Sequence, residues 1–252
     1  MRPAHTTRQG RVEKSSSTFY NSVLPWPLID RVLVRRVLVP RIVPYPHPAL
    51  RYRSRPITRI DDDLRASVRA MFDLMYEARG IGLAANQVGL PFRFFILNVT
   101  ADPEQKDQEQ VFINPEIIKR HSSIEDEEGC LSFPGMHFDV HRARKIRVQA
   151  YNLSGQEIDI EAEDLLSRAI QHETDHLSGR LFIDDLGTLK RINPLSIKLK
   201  AFELKYRQEQ EAGVFPSDEE IVRRLDAMTS PILDLSPAPA PEPVPAPAMD
   251  AS

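Results

Sequence analysis

The spacing of hydrophobic positions changes several times along the chain, and each change marks an element. From Asp61 to Arg79, Leu64, Val68, Met71, Phe72 and Met75 recur every three or four positions, which predicts a helix with one apolar stripe. Asp61, Asp62 and Asp63 give that helix an acidic start. Phe92 to Val99 and Val111 to Ile113 are apolar runs of strand length, separated by a charged loop from Asp102 to Gln110. Asn114-Pro115 is expected to break the second run, because proline cannot donate to a ladder. Ile146, Val148 and Ala150 alternate with polar residues between Lys145 and Tyr151, and Glu157 to Ile160 repeats that period. Asn152-Leu153-Ser154-Gly155 supplies the turn between these two strands. The period returns to helical from Glu163 to Ile170, where Leu165, Ala169, His172 and His176 fall on one stripe and Gly179 stops the helix. Leu181 to Leu186 reads as a short apolar strand or turn. Pro194 to Glu211 reads as a late helix carrying Lys198, Lys200, Lys205 and Arg207. Ser122 to Glu128 is polar and acidic and leads into the loop that holds Cys130.

The two ends have no such pattern. Residues 1–41 are expected to be an extension. Within the first 29 residues Arg2, Arg8, Arg11 and Lys14 stand against a single acid, Glu13, beside a Ser/Thr cluster. An organellar transit peptide, a start assigned too far upstream and plain disorder are all open readings. Pro44-Tyr45-Pro46-His47-Pro48 forces extended backbone and reads as a strap across the domain surface. Residues 42–212 are expected to form the folded domain and residues 213–252 a flexible tail, since Ser236 to Ala248 alternates proline with Ala, Glu and Val.

Composition then narrows the function. A hydrophobic content of 41% supports a real core, and a net charge of -3 lacks the footprint of a nucleic-acid binder. No apolar run reaches the roughly 18 residues of a membrane span. With Cys130 the single cysteine, no internal disulfide can form.

The candidate chemistry centres on Gln171-His172-Glu173-Thr174-Asp175-His176, which contains H-E-x-x-H. On a helix, residues four apart share a face, so His172 and His176 can grip one metal ion while Glu173 flanks it as a base. The bland reading is an amphipathic helix that carries two histidines. Cys130 lies in a Gly-flanked, Pro-terminated loop, Gly129-Cys130-Leu131-Ser132-Phe133-Pro134, and offers a third ligand. Three ligands leave a fourth position for water, as catalytic zinc sites do; His121, His137 and His141 are open alternatives for a fourth protein ligand. In hydrolysis, Glu173 would accept the proton of a water activated by the metal. Gln87 offers a side-chain amide and Leu131 a backbone N–H to a developing oxyanion.

Three motifs, Gly80-Ile81-Gly82-Leu83-Ala84-Ala85-Asn86-Gln87-Val88-Gly89, Glu128-Gly129-Cys130-Leu131-Ser132 and Gln171 to Gly179, resemble in order and spacing the signatures of the peptide deformylase family. The resemblance covers about Ile42 to Leu186. It implies an α+β fold, with antiparallel strands packed around a central metal-binding helix. It implies hydrolytic removal of the formyl group from the N-terminal formylmethionine of newly made polypeptides, releasing formate. It further implies Cys130, His172 and His176 as ligands of one divalent ion, Fe(II) with Zn(II) as the alternative, and Glu173, Gln87 and Leu131 as catalytic groups. Ile81, Gly82 and Gly129 would line the peptide path with Glu128 beside it, and Leu165 and Ala169 would border the methionine pocket. His137 departs from the family, many members of which place an arginine there near the substrate entrance. The expected partners are the nascent formylated polypeptide and, through the late helix, the ribosome, with no nucleic-acid motif and no membrane. A bacterial cytoplasmic enzyme is expected, with an organelle as the alternative because of the basic extension. Two other classes compete: a zinc peptidase, whose third ligand is usually His or Glu, and a non-catalytic adaptor docking through its basic late helix.

Overall fold

The computed structural model describes residues 41–184 and 193–229. Most of the expected extension and the Pro/Ala-rich segment lie outside these residues. Four helices are present among them, α1 (Asp62–Glu77), α2 (Asp164–Leu177), α3 (Asn193–Glu211) and α4 (Asp218–Met228). The strands are β1 (Gly82–Ala84), β2 (Phe94–Leu97), β3 (Gln110–His121), β4 (Ile124–Gly129), β5 (His137–Arg142), β6 (Lys145–Tyr151) and β7 (Glu157–Glu163). Five strands form one antiparallel sheet in the order β1-β2-β3-β6-β7, and β4-β5 is a separate antiparallel hairpin. This is the α+β arrangement expected, with α2 as its central helix. Among the described residues no helix is long and apolar enough to cross a membrane.

At β1 and β2 the sheet is covered on both faces. Phe94 and Ile96 join the α1 stripe of Val68, Met71, Phe72 and Met75, whereas Phe95 and Leu97 join Ala169, Ile170 and Leu177 of α2. The pleat sends alternate residues to opposite faces, so β2 must be apolar throughout. Asp61 caps α1, its carboxylate accepting from the Leu64 N–H at 2.9 Å.

Two expectations need correction, and one strand lies where no element was assigned. β3 does not stop at Asn114-Pro115. A register shift between Ile113 and Glu116 absorbs the proline, and Asn114 takes φ 52°. The Asn114 side chain accepts from Ile57 N at 2.8 Å and donates to Ile57 O at 2.7 Å, so the bulge is tied to the N-terminal segment. The acidic stretch before Cys130 is strand β4. It shows no apolar alternation because its buried residue is Glu128, facing the buried Arg142 of β5. Residues 213–229, expected in the tail, instead carry α4. Ser217 accepts from the Glu220 N–H at 3.2 Å, and Ile221 and Leu225 are buried against the strap residues Val43 and Leu50. Ser217-Asp218-Glu219-Glu220 is a capping signature legible in the sequence.

The strap 43–54 is clamped from outside by α3 and α4. Tyr45 Oη donates to Glu203 at 3.3 Å and Tyr52 Oη to Asp226 at 2.7 Å. The His47 ring lies edge-on to Tyr206 and Phe215, with centroids at 5.9 and 5.3 Å. Its Nδ1 accepts from the Ala49 N–H at 3.2 Å, which leaves the proton on Nε2. Burial, with Arg41 nearby, lowers the His47 pKa from 6.5 to about 3. The folded state therefore keeps this ring neutral while the unfolded chain protonates it below pH 6.5. Its contribution to stability is full above pH 6.5 and is lost as pH falls toward 3. Between pH 6.5 and 5, the loss expected from this group is about 1.5 kcal/mol. In urea unfolding, His47→Asn, which keeps an acceptor for the Ala49 N–H, should lose less stability over that interval than the parent; equal slopes would refute the assignment.

Candidate metal centre

α2 presents His172 and His176 one turn apart, with ring centroids 5.0 Å from each other. Cys130 approaches from the loop after β4, its Sγ 3.3 Å from His176 Nε2. All three residues are buried, and their ligand atoms lie within 4.8 Å of one another. Among the described residues they form the only such group of His, Cys, Asp or Glu. His121, His137 and His141 are exposed, and His141 pairs with Glu125 at 3.3 Å, so none supplies a fourth ligand. Two imidazoles and one thiol on a converging, buried arrangement fit a divalent metal ion. The local field fits as well. Burial opposes a charge on His172, yet Cys130, Glu128 and Glu173 outweigh it and raise that ring well above its ordinary value. His176 is held neutral by burial and by the positive His172 and Arg142.

Behind the ligands lies a chain of buried charge. His172 Nδ1 sits 3.1 Å from Glu128 Oε2, which leaves Nε2 as the ring atom that could ligate an ion. Glu128 also accepts from Arg142 Nε at 3.0 Å and Nη2 at 3.1 Å, and Arg142 Nη1 reaches Asp175 of α2. Burial works against the Glu128 carboxylate, but His172 and Arg142 bring its pKa down to about 2. Both Glu128 oxygens are thus engaged by Arg142 and His172. Its carboxylate stands behind His172, the side chain it holds in place. Arg142 and Asp175 were missed in the sequence because a buried ion pair leaves no periodic signal.

Glu173 is buried, and its Oε2 has no hydrogen-bond partner. Burial and the nearby Glu128 push its pKa up to about 7, against the pull of His172. Gly82 makes room for it, since a Cβ there would stand 2.5 Å from Glu173 Oε1 and 2.7 Å from Leu97 Cδ2. The first motif reaches the site by two amides. Asn86 Nδ2 donates to the His176 carbonyl. Gln87 Oε1 accepts from Ala84 N–H at 2.8 Å, which turns its Nε2 toward Cys130 Sγ at 3.5 Å. The Leu131 N–H has no acceptor among the described residues.

The remaining expected residues surround this centre. Ile81 is half-buried, and its carbonyl accepts from Asn98 N–H at 2.9 Å. Ala169 is buried, and Leu165 is 42% exposed on the same α2 stripe as both histidines. The His137 ring packs over Gly129, where an added Cβ would meet its Cδ2 at 2.7 Å. β1 ends its sheet and β4 pairs only with β5, so each has an open backbone edge among the described residues.

Removing the charge that orients His172 should weaken the centre without unfolding it. Glu128→Gln is expected to lower metal affinity about 10- to 100-fold in a chelator competition. Unchanged affinity would show that Glu128 does not act through His172.

The comparisons with known proteins agree with this geometry. The family model described as polypeptide deformylase matches residues 39–192. A peptide deformylase of Acidobacterium capsulatum is 46% identical over 155 residues, covering 62% of this chain and 91% of that protein. One of Rhodopirellula baltica is 40% identical over 172 residues, covering 68% of this chain and 85% of its own. Among solved structures, the peptide deformylase of Plasmodium falciparum aligns with TM-score 0.64 at 38% identity, over 67% of this chain and 98% of that one. That of Legionella pneumophila aligns with TM-score 0.60 at 39% identity, over 66% and 96%. With three motifs converging on one buried metal centre, this chain belongs to the polypeptide deformylase family, the enzymes that remove the N-formyl group from new polypeptides.

Proposed function

We propose that this chain hydrolyses the formyl-methionine amide with Glu173 as the proton carrier and Cys130, His172 and His176 as the ligands of one Fe(II). Zn(II) is the alternative ion, because a thiolate and two imidazoles suit both and ligand type does not choose between them. The observation that carries the reading is a buried carboxylate with a pKa near 7, free at Oε2, beside three converging ligand atoms. A bound divalent ion would polarise the formyl carbonyl and ease ionisation of an attacking water.

The residues divide the remaining work. Glu173, poised near neutrality, takes a proton from water and returns it to the departing amine. The Gln87 amide and the Leu131 N–H donate to the oxygen that gains charge. A peptide in extended form can add to the open edges of β1 and β4, pairing near Ile81, Gly82 and Gly129. Leu165 and Ala169, about two turns and one turn before His172 on α2, are placed to border the methionine side chain. The basic face of α3 is the contact assigned to the ribosome: Lys198, Lys200, Lys205 and Arg207 are exposed, and Ile197 and Leu204 are 63% and 54% exposed among them. A bacterial cytoplasmic setting suits the substrate and the bacterial relatives.

Formate release from formyl-Met-Ala-Ser, with protein prepared without oxygen and loaded with Fe(II) or zinc, tests the reaction and the ion together. Glu173→Ala should keep one bound ion and lose turnover by about 10²- to 10⁴-fold. A variant that retains turnover would sink the role of Glu173, and faster turnover with zinc would reverse the choice of ion. Replacing Lys198, Lys200 and Lys205 together by glutamate should reduce co-sedimentation with ribosomes and leave tripeptide turnover as it was. Undiminished co-sedimentation would remove the ribosomal contact.

A further inference from the structure

Ser132 follows the ligand loop and has no part in the chemistry assigned above, yet it is fully buried against it. Its Oγ lies 3.3 Å from Gln87 Nε2, the same nitrogen that lies 3.5 Å from Cys130 Sγ. The orientation of the amide is settled at its other end, where Oε1 accepts from the Ala84 N–H. The NH2 group therefore faces the loop, with two hydrogens and two acceptors, one an oxygen and one a sulfur. Sulfur is the weaker acceptor, so the hydroxyl is the stronger hold on the roll of the carboxamide.

The backbones of the same two residues are joined by the strap. Val43 N–H donates to the Gln87 carbonyl at 2.8 Å, and Tyr45 N–H donates to the Ser132 carbonyl at 3.0 Å. Residues two apart in extended backbone present their N–H groups to one side. Val43 and Tyr45 thus hold Gln87 and Ser132 in fixed register, and Tyr45 stacks on Phe133 with centroids 4.9 Å apart. The Ser132–Gln87 contact is built from both main chain and side chain.

We propose that Ser132 is a positioning residue for the hydrolysis: its hydroxyl takes one Gln87 N–H and so aims the other at the space beside the Cys130 sulfur, where the oxyanion develops. The inference rests on the reading of Gln87 as an oxyanion donor. Without the hydroxyl, both amide hydrogens turn on a weak sulfur acceptor and the aim is lost. The loss falls on the transition state, because a ground-state carbonyl carries less charge for the amide to meet.

A double-mutant cycle on the holoenzyme separates this from a packing role. Ser132→Ala should lower kcat about tenfold, the effect of one misdirected hydrogen bond, with KM changed by less than about twofold. In the cobalt-loaded protein the thiolate-to-metal absorption band should move, since the amide also touches Sγ. In a Gln87→Ala background, adding Ser132→Ala should change neither kcat nor the band; with Gln87 intact, Ser132→Thr, which keeps the hydroxyl, should retain most of the activity that Ser132→Ala loses. Overturning results are an unchanged kcat and band in Ser132→Ala, the same loss in both backgrounds, or a threonine variant as slow as the alanine one. Full turnover in Gln87→Ala alone would instead remove the oxyanion reading itself.

Discussion

A buried guanidinium holds the metal centre in place. Arg142 is 7% exposed and sits on a short hairpin strand, where an unpaired charge would be strongly destabilising. It is neutralised by Glu128 from the neighbouring strand and by Asp175 from α2. The separate hairpin β4-β5 and the helix are thereby locked together at one point. Glu128 then has one oxygen close to His172, and the loop after β4 brings Cys130 to the same helix. The position of the thiol relative to the imidazoles follows from how the charge on Arg142 is satisfied.

A second constraint acts from the chain termini of the described fold. The strap donates to Gln87 and Ser132 with two backbone N–H groups, and Ser54 N–H donates to the carbonyl of Leu177 at the end of α2. It therefore touches all three motifs. Arg51 O lies where a Cβ on Gly179 would stand, 2.5 Å away, which ties the glycine stop of α2 to the strap as well. α3, α4 and the connection between them cover the outer side of the strap through Glu203 and Tyr206, Asp226, and Phe215 respectively. The helices after the ligand motif are structural neighbours of the active loop, though they contribute no ligand.

The legible parts of the sequence were those with a local period or a local chemical pattern. α1, α2, α3, β2, β6 and β7 were read to within a few residues, because each shows an apolar stripe, an alternation or, in β2, an unbroken apolar run. H-E-x-x-H was legible for the same reason, since helical spacing alone puts His172 and His176 together. Cys130 and Gln87 were legible as isolated residue types in glycine-rich loops, and their agreement with a known pattern of three motifs joined them. β4 was not legible, because its buried position is filled by Glu128 and reads as polar; in β5 the inward Phe138 and Val140 alternate over only two positions before Arg142. The passage of β3 through Pro115 was hidden because the bulge is stabilised by Asn114 bonding to Ile57, far away in the chain. α4 carried its capping signature openly, but the proline-rich residues beyond it dominated the reading of that end.

The sequence by itself determined the residue types that can hold an ion, the carboxylate beside them and the helix that spaces two of them, since these depend on residues within one turn or one loop. The tertiary structure decided what each group meets. It placed Glu128 behind His172 and pressed Glu173 into a site of low polarity where its proton is held near neutrality. It also turned the Gln87 amide so that its donors face Cys130 and Ser132. Those outcomes depend on contacts between segments more than 40 residues apart, such as Gln87 with Cys130 and Glu128 with His172, whose separations are 43 and 44. No local period encodes such contacts; only the packing of α2, the hairpin and the strap around one core creates them.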